Sequence, residues 1–167
     1  MSDNPGVLLK EIIDKIKPEL LIITDLDSKI KRKPTRWSKR EILGHLIDSA
    51  IVNHTRFING SIHEEMIFSS YDQDQWVKLA RYNSIGWRDI VELWHKHNMI
   101  IAEVLNSIPD DTMHFEFKEH NLDKICMKHL SPSSPATFNY LAFDYIAHLE
   151  HHLKQILNTY SPQLRDY

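Results

Sequence analysis

This sequence of 167 residues has one cysteine, four glycines, no excess of basic charge and no long apolar run. The single thiol, Cys126, permits no intrachain disulfide, which fits a reducing compartment. Four glycines and seven prolines are too few for the many turns of a β-rich architecture. No stretch approaches the roughly 18 apolar residues that span a bilayer. The opening "MSDNPGVLLKEIIDKIK" carries acidic residues early and lacks the apolar centre of a signal peptide. A soluble, cytoplasmic protein is therefore expected. The net charge of −3 gives no footprint for nucleic acid. The one basic run, "KIKRKPTR" at residues 29–36, is the kind of segment that is ordinarily a solvated loop.

What is present is helical pattern. Hydrophobic residues make up 42% and charged ones 26%, so the chain can bury a core, and one domain over residues 1–167 is expected. "GVLLKEIIDKIKPELLIITDL" has helical periodicity with Pro18 inside it, predicting a kink or two segments. In "WSKREILGHLIDSAIVNHTRFING", Ser38 and Glu41 form a capping box with Trp37 at the staple position, and the helix should end near Gly60. A loop and a short helix from Asp72 follow. The next helix takes Ser84 as N-cap and stops at Pro109, with Trp87 and Trp94 in the core. Residues 112–135 look irregular, with "MHFEFKEH" a short extended piece. Ser134 followed by Pro135 should open the last helix, which runs to about Asn158. Four long amphipathic helices joined by one or two long crossovers predict an all-α four-helix bundle.

Histidine is abundant, at eleven residues, and "DYIAHLEHHLKQI" holds three of them within five positions. At 100° per residue, His148 and His152 share one edge of the apolar arc, and His151 falls on the polar side with Lys154. Two imidazoles one turn apart can hold one metal ion. Eleven histidines in a chain of this length yield about 0.7 such pairs by chance, so hydrogen-bonded, half-buried histidines are the bland alternative. A third ligand could be His45, His54, His63, His95 or His97. His45 lies away from the main apolar arc of its helix and His54 nearer its centre, so periodicity alone favours His54, and reads it as a core histidine.

"WSKREILGHLIDSAIVNHTRF" together with "DYIAHLEHHLKQI" resembles the DinB-like (YfiT-like) superfamily of metal-binding four-helix proteins. That family places a histidine after W-S-x-x-E on its second helix and an H-x-x-x-H pair on its last. Here the pattern falls on His45, His148 and His152, which the resemblance implies are the metal ligands. "YDQDQWV" and the tryptophans of the third helix are similar to one subgroup. The resemblance spans essentially the whole chain and implies a cleft that Ser49, Asn53 and Arg56 would also line.

Three neutral imidazoles leave a tetrahedral ion one open position. Zn²⁺ suits such ligands best, and Ni²⁺, Co²⁺ and Fe²⁺ are compatible. The open position can lower the pKa of water or hold a thiol as thiolate. The resemblance implies both chemistries, in hydrolases and in transferases that use a low-molecular-weight thiol. A metal-binding stress or damage-response protein without turnover is the alternative. The expected partners are a small-molecule substrate and a second copy of the chain, with no nucleic acid and no membrane. Cys126 reads as an inert core cysteine. Asp48 and Asp144, one turn from His45 and His148, could orient the ligands, although a solvated surface charge is the more ordinary fate of either. Tyr71, Asp72 and Trp76 could cover the cleft mouth.

Overall fold

The structure, a computed structural model, describes residues 3–64 and 66–164. In chain order its helices are α1 (Pro5–Ile22), α2 (Asp25–Lys29), α3 (Lys39–His63), α4 (Gln73–Ala80), α5 (Trp87–Ser107), α6 (Asp110–His114), α7 (Leu122–Ile125) and α8 (Phe138–Ile156). A 3-10 turn, Tyr82–Ser84, joins α4 to α5. The long helices α1, α3, α5 and α8 form a four-helix bundle in which α3 packs on both α5 and α8, and α1 packs chiefly on α5. The crossovers that carry α2, α4, α6 and α7 lie over its ends and sides.

Helix α3 starts where its sequence dictates. Ser38 Oγ accepts from the Glu41 backbone N–H at 3.2 Å, and Glu41 Oε2 accepts from the Ser38 N–H at 2.7 Å, so two otherwise orphaned donors are satisfied reciprocally. The helix runs one turn past Gly60, to His63. Helix α1 is continuous through Pro18, which stands near its C-terminal end with only one turn of helix beyond it.

Two starts differ from expectation. Helix α5 begins after Gly86 as N-cap, because Ser84 belongs to the preceding 3-10 turn and gives its hydroxyl to the Arg81 carbonyl at 2.8 Å. Helix α8 begins after Thr137, whose hydroxyl accepts from the Tyr140 N–H at 3.0 Å, and it ends at Ile156. Pro135 stands ahead of it in the connection, and Ala136 pairs both its backbone groups with Phe117 in one antiparallel bridge. That bridge is what the extended "MHFEFKEH" amounts to.

Trp87 and Trp94 are buried, as expected, and Trp87 Nε1 donates to the Leu20 carbonyl at 2.8 Å, tying α5 to the end of α1. Close approach also fixes Gly44 on α3. A Cβ there would lie 2.1 Å from the Tyr82 ring, so only glycine lets that ring lie against the helix. No described helix is long and apolar enough to cross a membrane.

Candidate metal centre

Helix α3 presents His45 toward α8, and α8 presents His148 and His152, stacked one turn apart, toward α3. The ring centroids lie 5.2 Å apart for His45–His148, 4.8 Å for His45–His152 and 4.6 Å for His148–His152. One nitrogen from each ring falls within 4.8 Å of the other two. Nε2 of His45 and Nε2 of His148 are 3.3 Å apart. Two nitrogens each 2.0–2.1 Å from a tetrahedral ion would be separated by about 3.3 Å. The pair is therefore spaced as two ligands of one ion.

Electrostatics point the same way. Burial pushes the His45 imidazole down to about 4. His152 is also pushed down to about 4, first by burial and then by His45 and His151. His148 lies well below the ordinary histidine value, through burial and then the neighbouring rings of His152 and His45. All three are therefore neutral at physiological pH, and a neutral imidazole is the form that ligates a metal. Nδ1 of His152 faces Gln155 Oε1 at 3.4 Å, which directs Nε2 toward the cluster, whereas Nδ1 of His45 is buried without a partner.

The other expected residues divide. Ser49, Asn53 and Arg56 follow His45 along one stripe of α3 and line, with His45 and His148, a cavity of about 180 Å³. Tyr71 also lines it, and burial, then the Asp48 carboxylate, pushes its hydroxyl up to about 12. Asp72 instead caps α4 through the Gln75 N–H, and Trp76 packs its ring 5.1 Å from that of Tyr71, away from the cavity. His151 is exposed and bonded to Gln155. His54 turns to α5, where its ring meets that of His97 at 5.3 Å.

Neither aspartate is a solvated surface charge. Asp48 is 3% exposed and accepts from the Tyr82 hydroxyl at 2.6 Å. Asp144 is 5% exposed and accepts from the Met127 and Lys128 N–H groups at 3.0 and 2.9 Å, so it pins the crossover before α8. Burial raises both carboxyls above their ordinary value. Cys126 is buried beside Asp144, and burial followed by that carboxylate pushes its thiol far up, consistent with an inert core cysteine.

Sequence patterns gave no sign of Ser70, Lys124, Ile125 and Met127, which also line the cavity. They come from crossovers without periodicity, and no local signal could have placed them against α3 and α8.

Residues 18–156 match the DinB superfamily. The chain belongs to that superfamily. Among solved structures the DinB-superfamily chain is similar to YfiT from Bacillus subtilis, described as a probable metal-dependent hydrolase with an unusual four-helix bundle topology. The likeness has a TM-score of 0.72 at 21% identity and covers 95% of this chain and 87% of that one. No curated protein matches the sequence significantly. The likeness to YfiT bears on the fold, and the histidine cluster is observed in this chain directly.

Proposed function

We propose that the protein is a metal-dependent enzyme in which His45, His148 and His152 hold one divalent ion, with Zn²⁺ favoured by an all-nitrogen ligand set. The observation that carries this reading is the convergence of three neutral imidazoles, one buried and two half-buried, beside a cavity, two of their nitrogens at 3.3 Å. Among the described residues no fourth histidine, cysteine or carboxylate joins the cluster, so the set matches an open site rather than a closed structural one. A divalent ion there would supply Lewis acidity that lowers the pKa of a bound water or small thiol.

The chain's own groups define the rest. Helices α3 and α8 fix the imidazoles on rigid elements. Burial keeps them deprotonated. Ser49, Asn53 and Tyr71 offer polar contacts to a small substrate in the cavity. Cys126 contributes no nucleophile, since its thiol is buried and held protonated. The description of YfiT as a probable hydrolase supports water as the nucleophile, and a low-molecular-weight thiol in its place would make the same site a transferase.

Elemental analysis of protein purified without a histidine tag tests the metal, with about one divalent ion per chain expected. A panel of activated esters, amides and alkyl halides, assayed with and without small thiols, tests the reaction. Turnover without thiol selects the hydrolase, and turnover only with thiol selects the transferase. Protein carrying a full complement of metal that acts on neither panel would favour metal binding without catalysis.

A further inference from the structure

Arg56 is 7% exposed, lies on the cavity stripe of α3, and pairs with no carboxylate within 4 Å among the described residues. Its Nη2 donates to the Ser69 carbonyl at 2.9 Å, Nη1 reaches Asn53 Oδ1 only at 3.4 Å, and Nε is buried with no partner. Its carbon centre stands 6.0 Å from the Phe68 ring, the outer limit of a cation–π contact. A buried charge left so poorly compensated is costly, and burial lowers the guanidinium from its ordinary value.

Among the described residues no carboxylate makes direct contact with the guanidinium, and Asp144 acts on it only through space. Asp144 is the one carboxylate on the cavity wall, and both its oxygens are taken by backbone N–H groups. Lys124 adds a second cation to the same wall. Two cations thus share the cavity wall with one carboxylate, which acts on Arg56 through space without a direct contact.

We propose that Arg56 is the anchor for an oxyanion group, a carboxylate or phosphate, on the molecule that occupies this cavity. A planar guanidinium whose Nη1 is held only at 3.4 Å is suited to such a group, and Ser49, Asn53 and Tyr71 line the same space. About 180 Å³ is slightly more than a cavity that accepts benzene, so it admits a short acidic arm. The inference rests on the reading of the histidine cluster as the reacting end. It adds the class of the substrate: a small acid whose charged end is held by Arg56 while its reactive end faces the histidines.

The test is calorimetric titration of the full-length protein, as purified and after chelation, with propionate, inorganic phosphate and uncharged propionamide. Propionate or phosphate should bind with a Kd of about 1 mM and propionamide should not. Whichever anion binds more tightly identifies the group. Binding should weaken at least about tenfold in Arg56→Gln and recover in part in Arg56→Lys, with unchanged circular dichroism. It should survive in the chelated protein, which removes the metal reading from the measurement. Failure of both anions to bind, or undiminished binding in a folded Arg56→Gln, overturns the proposal. Loss of metal stoichiometry with anion binding intact would overturn only the metal reading.

Discussion

Helix α3 buries two arginines sixteen positions apart, and they are opposites. Arg40 is 1% exposed and saturated: its guanidinium donates to Ser28 Oγ, to the Asp25 carbonyl and carboxylate, and to the Ile85 carbonyl. It binds α2 and the turn before α5 to the start of α3. Arg56 is nearly as deeply buried, yet it has one good hydrogen bond and an orphaned Nε. The residue type and the helix are the same, so the difference lies in what the surroundings give back. Saturated buried charge fixes architecture, whereas unsaturated buried charge keeps capacity for something that arrives later. His45, with its unpartnered Nδ1, belongs with Arg56 in the second class.

The sharpest way to widen this contrast is to fill the unsaturated set. Free metal at about 1,000 times its Kd should stabilise the protein by about 4 kcal/mol. Chelation should lower Tm while circular dichroism stays helical, because the core of α1, α3, α5 and α8 does not depend on the ion. His148→Ala should abolish the metal-dependent gain and His151→Ala should keep it. A gain retained in His148→Ala would break the assignment of the cluster.

Arg40 should give the next largest effect. Arg40→Met strips the donor from Ser28 and from two carbonyls, which costs about 3 kcal/mol, or about 6–12 °C in Tm at this size. A loss under about 1 kcal/mol would place Arg40 in the same class as Arg56. Gly44→Ala should cost about 2 kcal/mol by forcing the Tyr82 ring off α3 and its hydroxyl off Asp48. Thermal unfolding that leaves Gly44→Ala equal to wild type would mean the ring can move freely.

Acid should then separate the metal-free protein from one without the histidines. The folded values of about 4 for His45 and His152 lie below the ordinary 6.5 of the unfolded chain. Between these values the unfolded state binds more protons, so stability is full above about pH 6.5 and falls toward pH 4. Tm measured across that range should slope in the chelated wild type and flatten in His45→Ala/His148→Ala/His152→Ala. A wild-type profile no steeper than that of the triple variant would show that the imidazoles titrate normally. The smallest effect should be Arg56→Met, within about 1 kcal/mol of wild type or more stable, since a poorly paired charge is exchanged for apolar contact. A large loss there would show that Arg56 is an anchor like Arg40.

Much of the frame was legible because its signals are local. The Ser38–Glu41 capping box needs four residues, and the apolar faces of the long helices repeat within one element. The missed starts of α5 and α8 fall where several cap-like residues crowd together. Ser84 and Gly86, or Ser134 and Thr137, differ only in which hydroxyl or backbone the tertiary fold leaves near the first turn. For the candidate site, the pairing of His148 with His152 was legible and the choice of His45 was not. Helix α3 is covered on several sides, by α5, α8, α4 and α2, so its mean apolar direction does not mark the cleft. The wheel thus favoured His54, which meets His97 instead. The family pattern supplied what periodicity could not. The burial of Asp48 and Asp144 was illegible because their partners, Tyr82 and the amides of residues 127–128, come from distant connections.

Glu150 sits between His148 and His152 in sequence and so on the opposite face of α8. Its carboxylate accepts from the Tyr160 hydroxyl and from the Gln163 and Leu164 N–H groups, the latter two at 2.7 and 3.0 Å. The tail after the helix thereby acts as a key that sets the angular phase of α8. A roll of about 20° would carry a nitrogen some 6 Å from the axis through about 2 Å, far beyond the ±0.2 Å a metal site tolerates. Truncation ahead of Tyr160 would therefore detune the histidines from the far side of the helix, without touching the cavity.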